Sequence, residues 1–329
     1  RLSHDSIPDC FRGRGFFRND QRESKRIMFD ALAYRILRLF VQLVSRIPLP
    51  VVQFAGKMLG TLTFLMPMSR KSAALENLMQ SFGPEMTEDG AKRLLRKIYI
   101  HFGQMFLEVP HALKLTPENA HRYVTVESEE HLLDALKKGR GVLALTGHLG
   151  NWEIESTAVA MRYGNLAVVA RPMDFAPLER LVLDLRSRYG TEIIPKQRSM
   201  RRLLTSLKAN KIIGVLLDQN VDWYEGAFVN FFGRPACTNK GLALVALKTG
   251  AAVVPVFSAK ARDGRYRVMV GKEVELVRTG DKIRDVEENT ALFTRIIERQ
   301  VRDHPEQYFW FHKRWKTKNY CPLPRGYSS

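Results

Sequence analysis

Beyond about residue 140, short apolar runs alternate with segments of helical periodicity. The apolar runs are bounded by glycine or polar residues, a pattern typical of buried strands. Strands are predicted at Val142–Leu145, Leu166–Ala170, Glu192–Ile194, Ile212–Leu217, Ala252–Phe257 and Tyr266–Val270. Helices are predicted near Asn151–Arg162, Pro177–Tyr189, Met200–Ala209, Asn239–Thr249 and Asp285–Asp303. This alternation predicts an α/β fold, with a largely parallel mixed sheet covered by helices on both faces. Tyr266–Val270 and Val274–Val277 are expected to form a late antiparallel pair.

Two apolar segments precede this region. Residues 28–47 have a broad apolar face, and Arg35, Arg38 and Arg46 follow one edge of the predicted helix. Arginines at this frequency argue against a simple lipid-immersed span and favour a helix lying in the membrane interface. A core helix packed on the domain is the alternative. Residues 51–66 are apolar as well but short for a span, so they are a candidate second membrane-contacting stretch.

Composition narrows the class of protein. A chain of 329 residues can bury a substantial core, and a hydrophobic fraction of 45% excludes a disordered protein. The cysteines Cys10, Cys237 and Cys321 are far apart and odd in number, which predicts neither a disulfide framework nor a metal site. The sequence contains no Gly-x-Ser-x-Gly, His-Glu-x-x-His, Walker or Rossmann glycine motif. We therefore expect no metal and no cofactor.

The formal net charge of +18 favours an anionic partner: nucleic acid, an anionic membrane, or an acidic substrate or carrier protein. Part of the charge falls in two runs, with a solvated face as the alternative for each. The first run holds Lys196, Arg198, Arg201, Arg202, Lys208 and Lys211, and the second holds Lys313, Arg314, Lys316, Lys318 and Arg325. No zinc finger, RNA-binding aromatic signature or KH-type loop accompanies them. We expect a membrane surface or an acidic donor protein as partner, and no nucleic acid.

The most informative chemistry lies in residues 147–153, which follow the first predicted strand. Glycines on both sides of His148 suit a tight turn, so His148 is expected where a strand ends and a helix begins. Open α/β sheets usually carry their chemistry at such positions. The carboxylate of Glu153, one turn into the helix, is expected to fold back and hold the imidazole in one tautomer. A histidine held in this way is a candidate general base, whereas a surface or capping pair is the alternative.

The block Thr-Gly-His-Leu-Gly-Asn-Trp-Glu resembles the His-x4-Asp/Glu motif of the glycerolipid acyltransferase superfamily. More closely, it is similar to the bacterial lipid A (lauroyl/myristoyl) acyltransferases and their relatives that acylate other glycolipids. The resemblance extends from about Arg70 to Thr317. Its other blocks are Arg70–Leu78, Val169–Pro172, Leu217–Asn220, and Phe231–Thr238 followed by Gly241 and Thr249–Phe257. Several ordered blocks carry more weight than a lone His-x4-Glu.

This resemblance implies a glycerol-3-phosphate acyltransferase-like fold and assigns roles by position. His148 takes the role of general base, and Glu153 that of the carboxylate that orients it. Arg171 is expected to bind the acceptor's phosphate, with a surface salt bridge as the alternative. The other substrate-binding candidates are Asp218 and Asn220 (sugar hydroxyls or pocket shape), Arg234 and Thr238 (donor or phosphate contacts), and Asn151. Loop capping is the alternative for Asp218 and Asn220, and helix capping for Thr238. For Cys237, a small buried residue is favoured over a nucleophile.

The resulting hypothesis is a peripheral acyltransferase on the cytoplasmic face of the inner membrane. It would move a fatty acyl chain from an acyl carrier protein thioester to a hydroxyl of a lipid A precursor or related glycolipid. A lysophospholipid or phosphatidylinositol-mannoside acyltransferase that uses acyl-CoA is the alternative enzyme. A non-catalytic, basic membrane- or nucleic-acid-binding protein is the alternative of another class. The corresponding division is a mobile basic arm (1–27), a membrane-associating helical segment (28–66), an acyltransferase domain (67–320) and a tail (321–329).

Overall fold

The structure, a computed structural model, describes residues 16–196 and 199–318. Several features named above lie outside these residues: positions 1–15 of the predicted arm, the tail, Cys10, Cys321, Arg198 and Arg325. Beyond about residue 140 the described chain alternates helices and strands, as the sequence pattern predicts. The α/β class is therefore confirmed.

The described ranges contain ten α-helices and nine strands. The helices are α1 (Phe16–Arg46), α2 (Leu49–Leu65), α3 (Ser69–Phe82), α4 (Glu88–Glu108), α5 (Glu130–Lys137), α6 (Trp152–Tyr163), α7 (Ala176–Ser187), α8 (Met200–Lys208), α9 (Gly241–Thr249) and α10 (Lys282–Asp303). The strands are β1 (Val124–Glu127), β2 (Val142–Thr146), β3 (Leu166–Ala170), β4 (Glu192–Pro195), β5 (Ile212–Leu216), β6 (Gly226–Phe231), β7 (Arg234–Asn239), β8 (Ala252–Lys260) and β9 (Tyr266–Val270).

Seven of these strands form the main sheet, in the order β1-β9-β8-β2-β5-β3-β4. The five strands from β8 to β4 are parallel to one another. β9 runs antiparallel to β8 and pairs in parallel with β1. The mostly parallel sheet is confirmed, and its central pair, β2 and β5, is in register from Val142 beside Ile212 to Thr146 beside Leu216.

Helices cover both faces of this sheet. Successive side chains of a strand point to opposite faces, so the central strands place apolar side chains on both. In β2, Leu143 and Leu145 belong to one hydrophobic cluster, together with Phe293 of α10. Val142 and Ala144 belong to another cluster, together with residues of α5 and α6. All five residues of β2 are buried. A strand that is buried on both faces reads as a continuous apolar run, which is why the sequence predicted it so clearly.

The strand assignments differ from the prediction at Val274–Val277, β1, β6 and β7. Val274–Val277 is not a strand, so the expected pairing with Tyr266–Val270 is wrong. β9 pairs antiparallel with β8, because the chain turns back tightly between Ala261 and Arg265. The sequence pattern also missed the β6–β7 hairpin. Its two-residue turn, Phe232-Gly233, has positive φ at both positions, the geometry that matches the twist of paired strands.

The first two helices differ in how they pack. α2 lies very close to α4, and the absence of a side chain at Gly60 allows this approach. A Cβ added at Gly60 would come within 2.3 Å of the Tyr99 carbonyl oxygen. α1, which begins at Phe16 and so extends further than the predicted 28–47, packs on α7. Tyr34 of α1 donates a hydrogen bond to Asp184, and the Arg180 guanidinium lies 4.3 Å from the Tyr34 ring centroid.

Both helices keep one apolar stripe exposed. Its large members on α1 are Leu32, Ile36, Leu39 and Leu43, and those on α2 are Val51, Phe54, Met58, Leu62 and Leu65. Spacings of three and four residues place each set on one side of its helix. No single helix in the described ranges is long and apolar enough to cross a membrane. The bent pair Leu49–Leu65 and Arg70–Glu85 meets the length and composition criteria only when taken together.

Candidate active site

His148 lies in a tight loop directly after β2. Gly150 has φ +62°, and a Cβ there would lie 2.1 Å from the Ser258 carbonyl oxygen, so only glycine fits. Backbone hydrogen bonds fix the loop on the other side. The Phe309 N–H donates to the His148 carbonyl (3.0 Å), and the Gly150 N–H donates to the Gln307 carbonyl (3.0 Å). The loop is therefore held between the sheet and the last described part of the chain.

The imidazole of His148 is held by Asp218. Nδ1 of His148 lies 2.7 Å from one carboxylate oxygen of Asp218, and the His148 backbone N–H donates to the other oxygen at 2.9 Å. Asp218 directly follows β5 and Leu217, and β5 is the parallel neighbour of β2. The two residues thus meet at the carboxyl edge of adjacent strands.

Asp218 stays ionised although it is only 3% exposed. Burial by itself raises the pKa of a carboxyl group, but the charge of His148, the hydrogen bonds from His148 and the charge of Arg314 outweigh it and lower the pKa of Asp218 to about 2. An ionised carboxylate can only accept hydrogen bonds, so Nδ1 of His148 carries the proton. In the neutral ring the lone pair then lies on Nε2.

Nε2 of His148 is the ring nitrogen that Asp218 does not contact. The side chain is 20% exposed, and the Gln219 amide nitrogen is 3.2 Å from Nε2. The rings of Trp152 and Phe309 flank the imidazole at centroid distances of 5.0 and 6.2 Å. This arrangement can accept a proton from a hydroxyl group at Nε2, while Asp218 stabilises the resulting imidazolium.

Glu153 does not hold the imidazole, so that expected contact is wrong. Its two carboxylate oxygens accept hydrogen bonds from Arg186 of α7, at 2.6 and 3.1 Å. Both side chains are largely buried. Glu153 lies in the first turn of α6, where helical geometry directs its side chain towards α7 rather than back to the loop. The buried ion pair joins α6, which begins beside the site, to α7.

Asn151 and Asn220 use their side chains within the fold. Asn151 caps α6 by accepting a hydrogen bond from the Ile154 N–H, and it is fully buried. The Asn220 amide donates to the Thr317 hydroxyl at 2.9 Å and accepts from the Thr317 N–H at 3.1 Å. In this conformation, Asn220 fastens the loop after β5 to the chain's last described residues.

Thr238 and Cys237 are buried on β7. The Thr238 hydroxyl accepts a hydrogen bond from the Arg314 guanidinium. Burial raises the pKa of the Cys237 thiol, and Cys237 lies in the core. This environment suits a small packed residue better than a nucleophile.

The two arginine candidates lie in different settings. Arg171 follows β3 at the same sheet edge as His148, is exposed, and pairs with Asp174 at 3.0 Å. Arg234 lies with its guanidinium 4.4 Å from the Trp315 ring centroid, and its buried Nη1 atom has no hydrogen-bond partner in the described part of the chain. Arg171 therefore forms the surface salt bridge given above as the alternative for it, whereas Arg234 is partly taken up by packing.

Sequence patterns assigned Asp218 to substrate binding and did not reveal the importance of residues 307–317. A signal for Asp218 was present, because an acidic residue after the strand adjacent to β2 must lie near the end of β2. The sequence Tyr-Phe-Trp-Phe-His at 308–312 was also unusual in aromatic content.

No group of three or more His, Cys, Asp or Glu side chains placed to hold a metal ion occurs within 16–196 and 199–318.

Comparisons with known proteins find similar sequences over most of the chain. The sequence matches the family described as "Bacterial lipid A biosynthesis acyltransferase" over residues 23–317. It is 25% identical to the lipid A biosynthesis lauroyltransferase of Escherichia coli (strain K12), over 84% of this chain and 89% of the relative. It is also 25% identical to the palmitoleoyltransferase of the same organism, over 86% and 89%. The phosphatidylinositol mannoside acyltransferase of Mycolicibacterium smegmatis is 30% identical over 41% of this chain and 45% of that relative.

Proposed function

Because the chain belongs to the bacterial lipid A biosynthesis acyltransferase family, we propose that His148 is the general base of an acyl transfer to a lipid A precursor or related glycolipid, with an acyl carrier protein thioester as donor. The observation that carries the base assignment is the contact between Asp218 and Nδ1 of His148, which leaves Nε2 available. The chain is an acyltransferase by its family, and its relatives are named for acyl transfer.

The reaction follows from this geometry. The acceptor hydroxyl gives its proton to Nε2 of His148 as its oxygen bonds to the thioester carbonyl carbon. The tetrahedral oxyanion collapses, the C–S bond breaks, and the leaving thiolate takes the proton back from the imidazolium. Asp218 offsets the positive charge of the ring during these steps. A positioned base of this kind contributes about 10²–10⁴-fold to the rate.

Two features near His148 suit the substrates. An apolar cavity has Leu166, Val168 and Val256 among its lining residues and includes Trp152, whose ring contacts the imidazole. We assign part of the acyl chain to this cavity. Arg171, exposed at the same sheet edge, is assigned to the acceptor's phosphate, because a guanidinium can bind two phosphate oxygens at once. The variant Arg171→Lys should then retain more activity than Arg171→Ala on a phosphorylated acceptor.

The choice of carrier protein as donor rests on charge. Arg201 and Arg202 are exposed on α8, and the net charge of the chain is +18. Such a surface attracts an acidic protein and speeds encounter. Acyl-CoA is the second candidate donor, in combination with a different acceptor. The M. smegmatis phosphatidylinositol mannoside acyltransferase, 30% identical over part of the chain, is named for such an acceptor. In that case the acceptor would be a mannolipid or lysophospholipid.

We further assign the protein to the cytoplasmic face of the inner membrane, where a lipid acceptor is held in a bilayer. The support is the pair of apolar stripes on α1 and α2, whose large apolar residues are exposed. Exposed patches of this extent commonly mark interaction surfaces. Arg35, Arg38 and Arg46 on α1 are also exposed, and each adds about 1 kcal/mol of attraction to anionic lipid near the surface.

An in vitro assay tests the proposal. The purified protein is incubated with acyl carrier protein and CoA donors against several glycolipid acceptors, and products are identified by mass spectrometry. We expect one acyl chain to be added to a glycolipid hydroxyl, with the carrier protein as the better donor. Preference for acyl-CoA and a mannolipid would favour the second candidate. Salt-dependent binding to DNA without transfer to any acceptor would instead support a non-catalytic basic protein.

A further inference from the structure

Arg314 is a buried cation beside the candidate active site. The sequence places it in a basic run, yet its side chain is only 3% exposed, while its neighbour Lys313 is exposed. Its guanidinium donates hydrogen bonds to the Cys237 carbonyl (2.9 Å), the Gln219 carbonyl (3.3 Å) and the Thr238 hydroxyl. Within residues 16–196 and 199–318, no carboxylate oxygen lies within 4.0 Å of it.

A cation in this position requires a countercharge. Burial lowers the pKa of Arg314, and Asp218 is the carboxylate that opposes this effect. Reciprocally, the charge of Arg314 lowers the pKa of Asp218. Burying a charge is costly unless it is compensated, so Arg314 and Asp218 stabilise one another without a direct ion pair.

The other groups facing Asp218 do not carry a fixed charge. They are His148, Tyr308 and His312. Burial raises the pKa of Tyr308 well above its ordinary value, so its hydroxyl stays protonated. Burial lowers the pKa of His312 to about 4, and its Nε2 accepts a hydrogen bond from the Asn220 N–H at 2.9 Å. Arg314 is thus the permanent positive charge of this cluster.

We propose that Arg314 is a positioning residue for the acyl transfer: its hydrogen bond fixes the loop that carries Asp218, and its guanidinium is the permanent positive charge that compensates the Asp218 carboxylate beside His148. This rests on the proposed role of His148 as general base. The carboxylate of Asp218 favours a protonated imidazole, which cannot act as a base. The guanidinium opposes that effect, since a nearby positive charge disfavours a second one. Arg314 also holds the Gln219 carbonyl, one residue beyond Asp218.

The test compares Arg314→Met, which removes the charge, with Arg314→Lys, which keeps it. Lys313→Met, at the exposed neighbouring position, is the matched control. The readouts are the acid limb of kcat/KM against pH and the ¹⁵N NMR titration of His148, assigned with a His148→Gln variant. We expect Arg314→Met to move both midpoints upward by about 1 pH unit. Arg314→Lys should keep both midpoints near the parent and lower kcat, because the fork of hydrogen bonds is lost.

The NMR arm needs no turnover, so it separates this inference from the proposed function. If the protein proves inactive but the His148 midpoint moves in Arg314→Met, the positioning role stands and the acyltransferase assignment fails. Unchanged midpoints in a folded Arg314→Met protein would overturn the positioning role. Equal shifts in Arg314→Met and Lys313→Met would also overturn it.

A double-variant cycle covers the case in which Arg314→Met alone does not fold. With Asp218→Asn in the background, Arg314 has lost its countercharge, so Arg314→Met should cost less free energy of unfolding there than in the parent. The double variant should then fold even where the single variant does not. Equal costs in both backgrounds, or failure of the double variant to fold, would contradict the proposed coupling.

Discussion

Asp218 holds His148 at two points, with one carboxylate oxygen on Nδ1 and the other on the backbone N–H. The two contacts fix both the tautomer and the position of the ring at the end of β2. Neighbouring parallel strands supply the two residues, so the sheet itself sets their separation. The structure therefore gives Asp218 the orienting position that the spacing within residues 147–153 suggested for Glu153.

Glu153→Gln should destabilise the fold more than it affects the chemistry. The substitution leaves Arg186 buried without its negative partner, and breaking a buried ion pair typically costs about 3–5 kcal/mol. We expect a clear fall in Tm with kcat/KM within a few-fold of the parent. The matched control is Glu153→Gln with Arg186→Met, which should recover part of the lost Tm because no unpaired charge remains. A parental Tm for the single variant would show that the ion pair contributes little.

Glu155 should make stability depend on pH. Burial raises the pKa of its carboxyl, which accepts a hydrogen bond from Thr146, from an ordinary 4.5 to about 8. Between these values the folded protein keeps a proton that the unfolded chain releases. Its contribution to stability is complete below about pH 4.5 and is lost as pH rises towards about 8. In Glu155→Gln, Tm should fall less steeply from about pH 5 to 8. Parallel Tm curves for parent and variant would contradict this assignment.

The exposed stripes of α1 and α2 should bind anionic vesicles. Leu39→Glu combined with Leu62→Glu places a charge in each stripe and should lower vesicle binding by about tenfold or more in a flotation assay. Ile283→Glu is the control, because Ile283 is an exposed apolar residue on α10, outside both stripes. The double variant and the control should both keep their activity on a detergent-dispersed acceptor. Equal flotation of the double variant and the control would remove these stripes from the membrane contact.

The basic face of α8 should bind the carrier protein that brings the acyl donor. Arg201→Glu with Arg202→Glu should raise the KM for the carrier-linked donor more than the KM for acyl-CoA, and the difference should shrink at high salt. Arg295→Glu with Arg299→Glu, an exposed pair on α10, controls for net charge. If both donors are affected equally, or if the α10 pair has the same effect, the surface of α8 is not a carrier dock.

The sequence predicted features that depend on neighbouring residues better than features that depend on residues far apart in the chain. β2, β3, β5 and β8 followed from local apolar runs, because strands buried on both faces leave a continuous pattern. The position of His148 followed from the strand, turn and helix signals around it. The partner of His148 could not be predicted from these local signals. Asp218 lies 70 residues away in the chain, and only the strand order brings it close. The burial of Arg314 is likewise set by β7 and by the loop after β5, neither of which its local sequence reveals.

The most direct test of the account compares kcat/KM for acyl transfer in three folded variants: His148→Ala, Asp218→Asn and Glu153→Gln. We expect the first two to lose at least about 10²-fold, since one removes the base and the other removes the charge that stabilises its protonated form. Glu153→Gln should stay within a few-fold of the parent. Near-parental kcat/KM in folded Asp218→Asn, together with a loss in Glu153→Gln as large as that in His148→Ala, would contradict the assignment.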